Sequence, residues 1–132
     1  MTEKELLADV IELLNDRPEL TWCHFPDSRK QQGITGFPDL VIVGPYGVMF
    51  RELKLKHKAK LEGNQVRWRY ALTAARANYA VWTEQDLADG FIAAALDMIA
   101  YGSGCTHGPA TMRDGKTLCY ACNPSLIDSK AA

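Results

Sequence analysis

Apolar residues recur along the chain with two periods, and these divide it into elements. Over residues 2–16, Leu6, Leu7, Val10, Leu13 and Leu14 fall at helical spacing and form one apolar stripe. Thr2 is placed to cap this helix, Glu3 and Glu5 sit at the positive end of its dipole, and Pro18 ends it. Residues 21–25 are short and β-prone and predict a strand, and residues 27–36 form a polar, basic loop closed by two glycines. Apolar runs at 40–43 and 48–55 flank Gly44-Pro45-Tyr46-Gly47, a turn signal that predicts a hairpin. A helix over 62–77 follows, with Val66, Tyr70 and Leu72 to Ala75 as its apolar contacts, then a brief strand over 79–82. Thr83, with Asp86 three residues on, caps a last helix over 85–101 that stops at Gly102. The order is αβββαβα, followed by a tail of about 30 residues.

The hairpin carries the most informative chemistry. A turn centred between Pro45 and Tyr46 sets Asp39 directly opposite Glu52, and directly opposed residues share a sheet face with Cβ atoms about 4.5–5.5 Å apart. Lys54, two residues beyond Glu52, lies on that face. Two opposed carboxylates repel unless a cation lies between them. Magnesium, which takes oxygen ligands and binds through one or two carboxylates, is suited to that place. Lys54 would then stand where it can orient or deprotonate a water, which completes the parts for metal-assisted phosphodiester hydrolysis. The plainer alternative is an aspartate at a strand start and a solvated Glu and Lys on an outer face.

Composition changes the picture only when resolved along the chain. The 132 residues, 14.7 kDa, suit one domain with a small appendage, and 15 Lys+Arg against 16 Asp+Glu give a net charge of -1. That average argues against a general nucleic-acid binder. Residues 51–76, however, hold eight basic residues (Arg51, Lys54, Lys56, Lys58, Lys60, Arg67, Arg69, Arg76) against two acids, Glu52 and Glu62. Residues 1–20 and 84–97 are acidic instead. The basic segment flanks the carboxylate pair, where phosphates would lie, and Ser28, Arg29, Lys30, Lys56, Lys58, Lys60 and Arg67 are its candidate backbone contacts. His24, Asp27 and Thr35 fit equally well as loop-structuring residues. No base-reading motif is present, so recognition of DNA shape is expected.

No apolar run reaches the length of a membrane span, since Asp97 interrupts the best stretch, and no signal-type segment opens the chain, so an intracellular, cytoplasmic protein is expected. Its four cysteines are then expected free or metal-bound. Cys105-x-His107 and Cys119-x-x-Cys122 supply a closed tetrahedral set for structural Zn²⁺ in a tail with few large apolar residues. The alternatives are a Gly-rich tail with incidental cysteines, or a Cys119–Cys122 redox pair. Cys23 is expected as a buried core thiol. The division implied is a domain over 1–102 and a zinc-binding tail over 103–132.

Gly36-Phe37-Pro38-Asp39-Leu40-Val41-Ile42-Val43, then Phe50-Arg51-Glu52-Leu53-Lys54, then Gln65 and Trp68, resemble the PD-(D/E)XK nuclease superfamily, and within it the VRR-NUC branch with its small stand-alone phage forms. The resemblance spans roughly residues 2–100. It implies a restriction-endonuclease-like α/β fold, an αβββαβ core with a mixed central sheet flanked by helices. It further implies catalytic Mg²⁺ (or Mn²⁺) on Asp39 and Glu52, a water-positioning role for Lys54, and support from Gln65. The family also uses a glutamate on the first helix, within a segment like Glu3-Lys4-Glu5-Leu6. Glu3 is in line with Leu7, Val10 and Leu14, whereas Glu5 is in line with Asp9, Glu12 and Asp16, so Glu3 is the preferred third metal residue. The alternative is that both acids only answer the helix dipole. The linker from Lys56 to Asn64 is more lysine-rich than the family pattern. The expected function is Mg-dependent DNA endonuclease, acting on branched, Holliday-junction-like DNA as a homodimer and leaving 5′-phosphates, in the host cytoplasm if phage-encoded. The alternatives are a non-catalytic DNA-binding or assembly module on the same scaffold, and a zinc hydrolase centred on the tail, whose four ligands would leave no place for water.

Overall fold

Thr2 starts the first helix of the computed structural model, which describes residues 1–26 and 32–102 and, beyond these, only the backbone of residues 112–113 and 116–117. In α1 (Glu3–Asn15) the Thr2 hydroxyl accepts from the Glu5 N–H at 3.1 Å, and the Glu5 carboxylate accepts from the Thr2 N–H at 2.9 Å. This reciprocal box satisfies two amides that the helix itself leaves unpaired. Four strands, β1 (Thr21–His24), β2 (Leu40–Gly44), β3 (Gly47–Leu53) and β4 (Asn78–Trp82), form one mixed sheet in that order. The first two pairings are antiparallel and the last is parallel, with α2 (Asn64–Ala74) in the crossover between β3 and β4. In the hairpin, Leu40 pairs with Arg51 and Gly44 with Gly47, the register the turn predicts.

Strand alternation then decides the layers. Leu40, Ile42, Met49, Leu53 and Trp82 lie on one face and are buried against Leu6, Val10 and Leu14 of α1 and Ile92, Leu96 and Ile99 of α4 (Phe91–Tyr101). Burying each large apolar side chain contributes roughly 1.5–3 kcal/mol. Arg17 clamps the two helices at one end, its Nε–H donating to Asp97 Oδ1 at 2.6 Å and Nη1 to the Leu13 carbonyl at 2.8 Å. The hairpin turn is docked on α4 as well, with the Tyr46 N–H donating to the Ile99 carbonyl at 3.0 Å. Gly44 permits this approach, because a Cβ there would lie 2.3 Å from the Ile99 oxygen.

Several expectations are corrected. The helix predicted over 85–101 is two, α3 (Glu84–Ala88) and α4, because Gly90 takes a left-handed conformation (φ 80°) that interrupts the turn sequence. The Thr83–Asp86 capping box stands at the start of α3 as expected. In α2 no residue is fully buried: Val66 and Leu72 are half-buried and Tyr70 is 71% exposed, because this helix lies over only part of the second sheet face. Cys23 is exposed rather than buried, since β1 is an edge strand and Cys23 falls on its face away from the core. Among the described residues no helix is long and apolar enough to cross a membrane. In the tail, β5 (Met112–Arg113) and β6 (Lys116–Thr117) pair antiparallel. Cys105, His107, Cys119 and Cys122 lie outside the described residues, as do Asp27, Ser28, Arg29 and Lys30.

Candidate active site

Continuing the hairpin register by one residue brings Asp39 to Glu52, on the face of β3 opposite the core. Asp39 is held at both ends. Its Oδ2 accepts from the Leu53 N–H at 2.8 Å and its carbonyl accepts from the Phe25 N–H at 2.9 Å. The preceding Phe37 ring is wedged edge-to-face among Phe25, Phe50 and Trp68, with centroids 5.2, 6.1 and 4.9 Å away, and Pro38 is fully buried. The apolar wedge thus fixes where the aspartate points.

The second wall comes from the start of α2. Gln65 Nε2 donates to Glu52 Oε2 at 3.2 Å, while Gln65 Oε1 accepts from the Glu62 N–H at 3.0 Å, so the amide is oriented from both sides. Asn64 Nδ2 donates to Thr35 Oγ1 at 3.0 Å, and Trp68 Nε1 donates to the carbonyls of Ile34 (3.2 Å) and Thr35 (2.9 Å). These bonds tie the loop before Asp39 to α2. Gly36 makes the contact possible: its φ is +87°, and a Cβ would lie 2.7 Å from the backbone of Asn64 and Gln65.

Between these walls lies a cleft of about 480 Å³ lined by Glu3, Asp39, Glu52, Lys54 and Gln65, among others. Glu52 is almost fully buried, at 3% exposure, and its pKa is pushed up to about 8. Burial is the main cause. The charge of Asp39 and a hydrogen bond with it come next, Glu3 adds a small push, and Lys54 pulls the other way. At neutral pH the Asp39–Glu52 pair therefore retains a proton in the absence of a cation. Tyr79, on the same face of β4, feels the same charges, and burial followed by Glu52 raises its pKa to about 12. The donors are hard carboxylate oxygens, which suit Mg²⁺ or Mn²⁺. Among the described residues no group of three or more His, Cys, Asp or Glu forms a complete metal cage. The carboxylate contact is between two residues, and Glu3 lines the same cleft.

The first helix separates its two acids. Glu3 faces the cleft, whereas Glu5 is committed to the cap, where the Thr2 amide and hydroxyl hold its carboxyl below the usual range. Lys56, Lys58, Lys60 and Arg67 are exposed and outside the cleft, the first three on the strap just after Lys54. The Lys56 N–H anchors that strap to Glu84 Oε1 at 2.6 Å. Arg51 is a correction. Counted with the basic surface, it is buried on the core face, because it alternates with Glu52 along the strand. His24 is half-buried on the core face of β1, and Thr35 is both a cleft residue and the partner of Asn64. Glu62, Asn64 and Phe25 also line the cleft and were missed. Only the position of Glu62 and Asn64 beside Gln65, at the predicted helix start, pointed toward them.

Compared with models of protein families, with curated proteins and with solved structures, the chain has no match.

Proposed function

We propose that the protein is a metal-dependent DNA endonuclease with a restriction-endonuclease-like PD-(D/E)XK core of the VRR-NUC type. The observation that carries this reading is the contact between the Asp39 and Glu52 carboxyls in an open cleft, with Lys54 and Gln65 beside them. Asp39 and Glu52 would hold Mg²⁺ or Mn²⁺, with Glu3 reaching it directly or through water. The metal supplies charge neutralisation at a phosphodiester and lowers the pKa of a bound water. Lys54, half-buried at the cleft wall, orients the attacking water and stabilises the charge that builds on the phosphate oxygens. Gln65 fixes the Glu52 carboxylate by its 3.2 Å hydrogen bond.

The exposed lysines at 56, 58 and 60 support a polyanionic substrate running past the cleft, and Arg67 extends the same charge onto α2. Branched DNA and a homodimeric state belong to this proposal through the family resemblance, and a zinc-bound tail on Cys105, His107, Cys119 and Cys122 through the spacing of those residues. Purified protein incubated with Mg²⁺ and linear, flapped and four-way DNA tests it. Cleavage that is lost in Asp39→Ala and in Lys54→Ala is the expected result. No cleavage of any substrate with Mg²⁺ or Mn²⁺ refutes it and favours a non-catalytic DNA-binding module.

A further inference from the structure

A second cleft, of about 420 Å³, lies where β3 and β4 begin, against α4, and shares no lining residue with the first. Arg51, Arg76, Asn78 and Tyr46 give it polar walls, Met98 and Ile99 an apolar one, and none of its described lining residues is acidic. Arg51 is 5% exposed. Its Nη1 donates to the carbonyls of Phe50 (2.9 Å) and Asn78 (2.8 Å), its Nη2 donates to Asn78 Oδ1 (2.9 Å), and its guanidinium carbon is 5.0 Å from the centroid of the Trp82 ring. The Nε–H is buried without a partner. Three of the five guanidinium hydrogens are therefore used. What remains is one hydrogen on Nη2 and the Nε–H, which is sealed from solvent, on a side chain that lines the cleft. Among the described residues no carboxylate pairs with this charge, the ion pair there being Arg17–Asp97. Burial lowers the Arg51 pKa to about 10, which leaves it a cation at neutral pH.

Arg76 makes an independent case for the same cleft. It follows α2 with φ at 63°, the one non-glycine residue with positive φ among those described. Its N–H donates to the Thr73 carbonyl at 3.0 Å and the Ala77 N–H to the Leu72 carbonyl at 2.9 Å, the helix ending that glycine fills without strain. An arginine there strains the backbone and places a second arginine on the lining of the cleft.

We propose that this cleft binds a phosphomonoester, its dianionic head between Arg51 and Arg76 and its body against Met98 and Ile99. Two guanidiniums match the double charge of a phosphomonoester near neutral pH better than the single charge of a carboxylate. The proposal is independent of nuclease activity.

Thermal unfolding of the full chain in EDTA at constant ionic strength tests it, with 2′-deoxyadenosine 5′-monophosphate, inorganic phosphate and deoxyadenosine as probes. A ligand that binds only the folded state raises Tm with its concentration. Expected are saturable rises with the nucleotide and with phosphate, and none with deoxyadenosine. Arg76→Gly relieves the strained backbone, so its unliganded Tm should equal or exceed that of the parent while its apparent affinity for the nucleotide falls at least tenfold. Lys54→Ala, in the first cleft, should keep the full rise. No rise in the parent chain, an equal rise in Arg76→Gly, or loss of the rise in Lys54→Ala would each overturn the proposal.

Discussion

Replacing Glu52 by glutamine should make the protein more stable in alkaline solution, and the size of the gain follows from the cleft. The Glu52 carboxyl titrates at about 8 in the folded chain against 4.5 as its ordinary value. The folded state thus holds a proton that the unfolded state has released throughout that interval. The sign follows directly: stability is intact below about pH 4.5 and is lost as pH rises toward 8, with no further change above. At 1.36 kcal/mol per pH unit the full interval corresponds to on the order of 5 kcal/mol. Solvent at the cleft mouth will reduce that figure, so a measured difference of about 2–5 kcal/mol is expected. Glutamine keeps the shape and loses the charge.

Urea unfolding in EDTA from pH 5 to 9 is the assay. The parent chain should lose stability across this range while Glu52→Gln stays flatter, so that the two curves diverge toward pH 8. A constant offset between them would reflect only a changed hydrogen bond. Parallel curves would refute the inference that Glu52 is a strained, desolvated carboxyl against Asp39. The proposed metal adds a second arm: millimolar Mg²⁺ should stabilise the parent chain more at pH 8 than at pH 6, because the ion competes with the retained proton, and should stabilise Glu52→Gln little at either pH.

Glu3 and Glu5 should part company. Glu3→Gln is expected to lower DNA cleavage at least tenfold with little change in stability, whereas Glu5→Ala should leave cleavage intact and lower the urea midpoint by removing the acceptor of the Thr2 N–H in the capping box. Equal cleavage by both variants would remove Glu3 from the site. Gly44→Ala should destabilise the fold by about 1–3 kcal/mol in urea, because its methyl group would overlap the Ile99 carbonyl and displace the hairpin from α4. An unchanged midpoint would show that the turn is not seated there.

The parts of the molecule legible in the sequence are those set by local rules. Gly44-Pro45-Tyr46-Gly47 determines the hairpin register, and the register alone brings Asp39 to Glu52. The 3.6-residue period of α1 assigns Glu3 to the side of Leu7 and Val10 and away from Glu5. What was misread required tertiary information or a rule applied to the wrong element. A tally of charge along residues 51–76 treats Arg51 as surface, although strand alternation groups it with Met49 and Leu53. The apolar run after Thr83 hides the break at Gly90, because apolar content persists while the backbone changes hand. Glu62 and Asn64 reach the cleft only because Gly36 lets two distant segments meet, an approach no local pattern encodes.

Consecutive residues of β3 explain why one small sheet offers two unlike clefts. Glu52 and Arg51 point to opposite faces, each is about 95% buried or more, and burial pushes each toward its neutral form, the acid's pKa upward and the base's downward. Had the two side chains met, they would have formed an ion pair and neither cleft would carry excess charge. Strand geometry forbids that meeting, since successive side chains alternate across the sheet. In the proposed reading each charge is balanced from outside: a cation beside Glu52 and Asp39, an anion beside Arg51 and Arg76. The same reasoning makes the two occupants thermodynamically additive, because they contact no common side chain. Stabilisation by Mg²⁺ and by a phosphomonoester should therefore sum in a single titration, and a strong coupling between them would show that β3 transmits strain from one face to the other.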